Sequence, residues 1–424
     1  MKADLIIKNI DNLITLKGPN RPRVKEEMKE INIINNGIVA IKEDKIIYVG
    51  EGELPNNIET DESTVFIDGR GKTVTPGLID PHTHLVHGGS RENELAMKLN
   101  GYGYLDILAA GGGIHSTVKA TKEASFEELY EKAKKSLDIM LGFGVTTVEA
   151  KSGYGLDDFE TEIKQMEVAK KLNEDHPVDI VSTFMGAHAI PSTYKENPRG
   201  FIDLIIEKMI PYVKEKNLAK YIDVFCEKGV FSVEESREIL KAGQKYGLLA
   251  KVHADEIEPL GGAELAAEVG CISAEHLVAA SDKGIKKMGE EGVVAVLLPA
   301  TSFNLQTGKF AKARKMIEEG VAVALSTDYN PGSSPTENMQ LVMSFASLIM
   351  KLTPEEVITA ATINAAAALK LEEEIGSIEI GKKADIVIFD APNLNYIIYH
   401  FGINHTDKVV KNGKLVYKKS NKII

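Results

Sequence analysis

His82 and His84 stand two residues apart directly behind the short apolar run Leu78-Ile79, within the stretch TPGLIDPHTHLVHGGSRE (75–92). Side chains two apart on an extended segment point the same way. Both imidazoles can therefore aim at one point. Two neutral imidazoles held by one rigid strand are the usual beginning of a zinc or iron site. A loop with two solvent-exposed histidines would show the same letters, so the rest of the chain has to decide.

The pairing of an apolar run with a reactive side chain recurs along the sequence. Val145–Ala150 leads to Lys151, Ser152 and Tyr154, and Asp179–Phe184 leads to Gly186, Ala187 and His188. Tyr221–Phe225 leads to Glu227, and Leu248–Val252 to His253, Asp255 and Glu256. Cys271–Glu275 is followed by His276, and Val321–Ser326 by Asp328, Asn330, Gly332 and Ser333. Five of the ten histidines occupy such positions. One alone would read as a hydrogen-bonded structural histidine; the set reads as a shared site.

Positioning these groups requires a frame. With Val74–Ile79 and Val293–Leu298 added, eight strand candidates alternate with amphipathic segments such as Ser125–Leu141, Asp158–Leu172, Phe201–Glu215, Ser232–Tyr246 and Ala311–Glu319. Apolar positions in several of these recur at helical spacing. Eight strands joined by crossovers over residues 74–370 predict a (β/α)8 barrel, whose reactive groups gather beyond the carboxyl ends of its strands. An open doubly wound sheet would instead place a Gly-rich phosphate loop after an early strand. The run Gly111–Gly113 lacks the lysine of such a loop and reads as a lid or a close backbone approach.

The two ends share a different texture. Leu5–Ile10, Ile31–Ile34, Ile38–Lys42, Lys45–Val49 and Thr64–Ile67 are short strand-like runs punctuated by Gly, Asn and Asp. Gly376–Asp390 and Lys408–Lys418 repeat the pattern, the latter with a Lys-Asn-Gly hairpin turn. Neither end can bury much apolar surface alone. Residues 1–73 and 371–424 are therefore expected to meet in one composite β-sandwich, with two separate flaps as the rival arrangement.

Composition narrows the class of protein. The net charge of −12 is spread without long like-charge blocks and argues against nucleic acid or an anionic membrane as partner. No apolar run approaches the roughly 20 residues of a membrane span. The N-terminal stretch carries acidic residues and no small-residue cleavage site, so it does not read as a signal peptide. Cys226 and Cys271 lie inside apolar runs and are expected to be buried free thiols, which fits a reducing cytoplasm.

The His-X-His pair, the single histidines after the fifth and sixth strands and the Asp after the eighth resemble the amidohydrolase superfamily of metal-dependent hydrolases. The flanking β segments, including GKKADIVIFD, look like that superfamily's composite sandwich. DPHTHLVHGGSRE, GGGIHSTV, EAKSGYGL, TFMGAHAIP, DVFCEKGVFS, HADE, EHL and STDYNPGSSP extend the likeness over nearly the whole chain. Within the superfamily they are similar to motifs of the imidazolone-ring hydrolases of histidine degradation. The resemblance implies that His82, His84, His253 and Asp328 hold one Zn²⁺ or Fe ion per subunit. Relatives with two metals often use a carboxylated lysine after strand four; Cys226-Glu227 stands there, so one ion is expected. Lys151 is expected to be structural or close to substrate, and the resemblance also implies a homodimer.

The substrate so implied is 4-imidazolone-5-propanoate, opened at its ring amide to N-formimidoyl-L-glutamate. Asp328 and His276 would orient the water and stabilise the tetrahedral intermediate, with Asp328 readable as ligand, base or both, or as a turn residue. Glu256 would exchange protons with the ring nitrogens. The substrate carboxylate calls for a planar cation, and Arg91 is the natural partner unless it pairs with Glu92 or Glu94 instead. Tyr154 and His188 would add hydrogen bonds, and Asn330, Gly332 and Ser333 amide, backbone and hydroxyl contacts. His87, of the wrong parity, is expected to support the site from behind. A deaminase of the same superfamily would share the metal set but need no carboxylate clamp, and a silent binding protein would have lost ligands.

Overall fold

The computed structural model describes residues 1–102 and 112–420. Eight strands, β1 (Leu78–Thr83), β2 (Val145–Lys151), β3 (Asp179–Ala187), β4 (Tyr221–Cys226), β5 (Leu249–Ala254), β6 (Ser273–His276), β7 (Val294–Leu297) and β8 (Val323–Leu325), neighbour one another in chain order. Every pairing between them is parallel. The circle closes where Thr83 bridges Tyr329 and the His84 amide donates to the Tyr329 carbonyl at 2.8 Å. The chain thus forms the expected (β/α)8 barrel.

Alternation along the strands divides the work. Val148, Ala150, Ile222, Val224, Ala250 and Val252 share one apolar cluster with Leu137, Met140, Met166, Ile239 and Leu240 of the surrounding helices. The residues between them face inward and are largely polar. Helix starts follow local rules. Ser125 and Ser232 each accept from the amide three residues on, and Glu128 and Glu235 reach back to the cap amides of the helices Phe126–Gly142 and Val233–Lys245.

Two expected elements differ from the structure. The apolar run Val74–Ile79 is two strands: Thr73–Pro76 pairs antiparallel with Ile386–Phe389 outside the barrel, and β1 begins at Leu78. Gly77 makes the handover, and a Cβ there would lie 2.2 Å from the Thr146 hydroxyl. Pro76-Gly77, a chain-breaking dipeptide, marks the place where the pairing partner changes, and the reading of one strand passed over it. The segment Phe201–Glu215 is also interrupted, with a wider five-residue turn at Ile205–Met209 between helices Pro198–Leu204 and Ile210–Glu215. Pro211 lacks an N–H and crowds the carbonyl one turn back, which shifts the hydrogen-bond ladder.

Both termini build the second layer. A six-stranded sheet joins Ile33–Ile34, Asn12–Ile14 and Thr73–Pro76 edge to edge with Ile386–Phe389, Thr406–Lys411 and Lys414–Lys418, the two halves meeting where Thr73–Pro76 pairs with Ile386–Phe389. A four-stranded sheet contains Leu5–Ile10, Gly37–Lys42, Lys45–Glu51 and Val65–Asp68. Ile7, Ile10, Leu13, Val39, Ile41, Val74, Ile386, Ile388 and Val410 fill one aliphatic core between them. The expected hairpin turns at Asn412-Gly413, both residues having positive φ. Lys411, 1% exposed, ties the sheet to the barrel through Asp385 at 2.6 Å and Asp179 at 2.8 Å. Among the described residues, no helix is long and apolar enough to cross a membrane.

Candidate metal centre and active site

The carboxyl ends of the barrel strands bring distant residues together. His82 and His84 leave β1 on the same side, with ring centroids 5.6 Å apart. The His253 ring from β5 sits 4.5 Å from His82 and 5.7 Å from His84. Beyond β8, Asp328 places Oδ1 3.3 Å from His82 Nε2 and 3.8 Å from His84 Nε2. Its other oxygen accepts from the Thr301 hydroxyl at 2.6 Å. His276 from β6 joins the same group, 5.2 Å from His253. His82, His84 and Asp328 form one set of donors within 4.8 Å of one another, and His82, His253 and His276 another.

These residues fit a metal ion. His82 Nε2 and His84 Nδ1 are buried without hydrogen-bond partners, and an unpaired buried polar atom is costly unless something else satisfies it. Two donors binding one ion tetrahedrally at roughly 2.1 Å stand about 3.4 Å apart, close to the His82–Asp328 spacing. Burial, with the nearby Lys151 and neighbouring histidines, holds His82 well below the usual imidazole range; burial does the same for His84 and His276. Neutral rings keep a lone pair for coordination. The His82 Nδ1 lies 2.9 Å from Glu275 Oε2, which turns Nε2 toward the cluster. His253 Nδ1 stands 3.0 Å from Asp223 Oδ2, although off hydrogen-bonding alignment.

Acid–base groups flank the donors. Burial pushes the Glu256 carboxyl up to about 8, helped by the charge of Asp328, and pushes Asp328 itself up to about 7. Glu256 Oε2 is 3.6 Å from His276 Nε2. Backbone strain concentrates here: Asp255, His276, Leu277 and Asp328 all have φ between 50° and 68°, a region non-glycine residues seldom occupy outside tightly determined sites.

The expected substrate contacts gather on one side. His188 stacks on His84 with centroids 4.9 Å apart and planes at 12°. Its Nδ1 lies 3.0 Å from the Gly153 carbonyl, and the buried Tyr154 ring lies 5.4 Å away. The Tyr154 loop is held from behind, its amide donating to Gln165 at 3.0 Å and that of Gly155 to Glu162 at 2.8 Å.

Arg91 forms the pair that the sequence left as its alternative. Nε and Nη2 donate to Glu94 at 2.9 and 2.8 Å. Its Nη1 edge packs against Gly332 so closely that a Cβ there would lie 2.0 Å away. The guanidinium thus spans the loops after β1 and β8. Asn330 does not present a free amide. Its Oδ1 accepts from the Gly332 and Ser333 amides at 2.8 Å each, and its Nδ2 donates to the Asp328 carbonyl at 2.7 Å. Ser333 Oγ lies 2.9 Å from the same Nδ2.

Residues on the margins are also placed. His87 is buried, with Nδ1 2.9 Å from the His84 carbonyl, while Tyr102 and His115 are exposed. Gly111 lies outside the described residues, and the Gly113 amide donates to Glu94 at 2.7 Å. Beyond β4, Glu227 accepts from the Lys228 and Ile257 amides at 2.8 and 2.9 Å, and Lys228 itself is exposed. Cys226 and Cys271 are buried and free.

Of the layer beneath the donors, sequence reasoning singled out only Lys151, as structural or close to substrate, and missed the rest. Glu149, Lys151, Asp223, Lys251 and Glu275 are all fully buried, with Lys151 2.7 Å from both Glu149 and Asp223. Burial opposes the Lys151 charge, but Asp223, Glu149 and Glu275 outweigh it and keep the ammonium protonated. The available signal was charged letters inside strand-like runs, two apart at Glu149 and Lys151 and single at Asp223, Lys251 and Glu275.

Comparison with known proteins agrees with this arrangement. Residues 73–416 match the model of the amidohydrolase family. An imidazolonepropionase of Alkaliphilus metalliredigens is 62% identical over 423 residues, covering 100% of both chains. One from Alkaliphilus oremlandii is 63% identical with the same coverage, and one from Fusobacterium nucleatum is 56% identical over 99% of this chain and 100% of its own. A zinc-bound adenosine deaminase from Xanthomonas campestris superposes with a TM-score of 0.70 at 18% identity, over 98% of this chain and 93% of its own. The zinc complex of an atrazine chlorohydrolase from Arthrobacter aurescens gives 0.68 at 17%, over 98% and 95%. The two solved structures speak to the fold, the full-length relatives to the family: this chain belongs to the imidazolonepropionases within the amidohydrolase family.

Proposed function

We propose that the chain hydrolyses the ring amide C–N bond of 4-imidazolone-5-propanoate, giving N-formimidoyl-L-glutamate. The observation that carries this reading is the unpaired His82 Nε2 facing Asp328 Oδ1, among imidazoles held neutral by burial. His82, His84, His253 and Asp328 would hold one Zn²⁺ or Fe ion, three imidazoles and a carboxylate suiting either. Such an ion supplies a water acidic enough to be hydroxide near neutral pH.

The chain's own residues do the rest. Asp328, its second oxygen held by the Thr301 hydroxyl, takes the proton released as water adds to the ring carbonyl carbon. His276, neutral and beside Glu256, stabilises the oxygen charge that develops in the tetrahedral intermediate. Glu256 is protonated at pH 7 and donates to the ring nitrogen as the C–N bond breaks. Tyr154 and His188 hold the propanoate arm, and Arg91, fixed by its pair with Glu94, adds its charge beside Tyr154, with Gly332 and Ser333 closing the loop side. Asn330 shapes that loop from within.

The test is an ultraviolet assay of imidazolonepropanoate consumption on metal-loaded and chelator-treated protein. The loaded enzyme consumes substrate and the stripped enzyme does not. Consumption unaffected by chelation, or ammonia release from cytosine or guanine instead, would overturn the proposal.

A further inference from the structure

We infer that Glu149 is a positioning residue that couples His82 to His253 through one continuous buried chain of alternating charge. The inference rests on the reading of those two histidines as metal ligands. From His82 Nδ1 the chain passes to Glu275 at 2.9 Å, then from Glu275 to Lys251 at 3.6 Å. Lys251 contacts Glu149 Oε2, and Glu149 Oε1 lies 2.7 Å from Lys151. Lys151 is 2.7 Å from Asp223, whose same oxygen stands 3.0 Å from His253 Nδ1.

Barrel interiors are ordinarily filled by branched aliphatic layers. Five ionisable groups here occupy inward positions of β2, β4, β5 and β6 with no solvent exposure. Buried ion pairs rarely stabilise a fold beyond a well-packed apolar replacement, because desolvation offsets their attraction. Stability alone therefore does not account for them. Three carboxyl groups and two lysines thus lie directly beneath the donor cluster, in contact with one another and with two of its imidazoles.

Glu149 is the hub of this arrangement. Each of its oxygens meets a different lysine, and the Thr183 hydroxyl fixes Oε1 from β3. Asp223 and Glu275 are each braced a second time, by the His253 amide at 3.1 Å and by the Ser273 hydroxyl at 2.5 Å. Loss of the Glu149 charge would leave both lysines short of a partner, and both would pull on the carboxylates that orient the imidazoles. One substitution should thus disturb two ligands that arrive from opposite sides of the site.

The test uses cobalt(II), whose visible bands report ligand geometry, together with affinity measured by chelator competition. Glu149→Gln should weaken cobalt binding roughly tenfold, the lower end of the range for outer-shell partners, and should shift the bands. Thr183→Val, neutral and nearly isosteric, should do both to a smaller degree. It decides the matter alone if Glu149→Gln does not fold. A folded Glu149→Gln, or failing that Thr183→Val, with wild-type affinity and bands overturns the coupling. His84→Ala separates the two readings. If it binds cobalt as tightly as wild type, the metal assignment itself fails; if it binds weakly while the Glu149 and Thr183 variants match wild type, only the coupling fails.

Discussion

The sandwich core and the barrel interior are built on the same alternation of strand side chains, yet they are filled with opposite chemistry. Between the sandwich sheets lie Ile7, Ile10, Leu13, Val39, Ile388 and Val410. Inside the barrel lie Glu149, Lys151, Asp223, Lys251, His253 and Glu275, buried as completely or nearly so. Full burial of an aliphatic side chain contributes about 1.5–3 kcal/mol. Burial of an ion costs free energy that its partner must offset. The sandwich core and the strand–helix layer around the barrel therefore hold the molecule together, and the polar part of the barrel interior holds atoms in place. The barrel can carry such an interior because the apolar faces of its strands pack on the helices outside.

Four outcomes would break or sharpen this contrast, taken from the largest effect down. Asp328→Asn should abolish metal retention and lower kcat/KM by more than the roughly 100-fold upper range for outer-shell partners, while far-ultraviolet circular dichroism stays that of the folded protein. Collapse of the fold in that variant would mean that the interior also bears the stability. In the sandwich, Ile388→Ala should cost about 2–5 kcal/mol in denaturant unfolding and leave kcat per folded molecule unchanged. A loss of kcat there would show that the two layers are not separable in function.

Arg91→Ala tests the seam between loops. One charge-assisted contact is worth about 1.5–3 kcal/mol, so KM should rise roughly 10- to 100-fold, with metal content intact. An unchanged KM would leave Arg91 as a strut between Glu94 and Gly332.

The smallest effect is a slope with pH. Burial raises Glu256 to about 8, Asp328 to about 7, and Asp80 and Glu162 to about 6. The folded protein thus keeps protons that the unfolded chain has released above its ordinary carboxyl range. That stabilisation is complete below roughly pH 4 and is lost as pH rises through the folded values. The buried neutral histidines act in the opposite sense up to their unfolded value of about 6.5, so melting temperature in chelator should fall only above roughly pH 7, and Glu256→Gln should flatten that fall. A melting temperature still rising above that pH would contradict the assignment.

Much of the site could be read before any coordinates. His82, His84, His253, His276 and Asp328 each stand where a strand ends, and a barrel collects strand ends on one face. The supporting partners could not be read in this way. Glu275 meets His82 across 193 residues of sequence, and Asp223 reaches His253 from the neighbouring strand. Such contacts depend on register across a sheet, which no local pattern specifies. Asn330 shows a related limit. Its residue type suggests a ligand contact, but only the turn geometry reveals that its amide is occupied by its own loop. The split of Val74–Ile79, by contrast, was written in the sequence as Pro76-Gly77, a break that the apolar residues on either side outweighed in the reading.

That split fixes the length of the chain at its most sensitive point. One residue, Gly77, separates a sandwich strand from the strand that carries His82 and His84, and the Thr146 side chain leaves no room beside it. An extra residue could not bulge there. Passed along β1, whose register with β2 already shifts between Leu78 and Ile79 and between Asp80 and Thr83, it would turn Asp80, His82 and His84 away from the barrel axis together unless such a shift took it up. This junction should tolerate changes of side chain far from the site better than any change of spacing, and a chimaera that exchanges the outer layer must be spliced with the count from Pro76 to His82 intact.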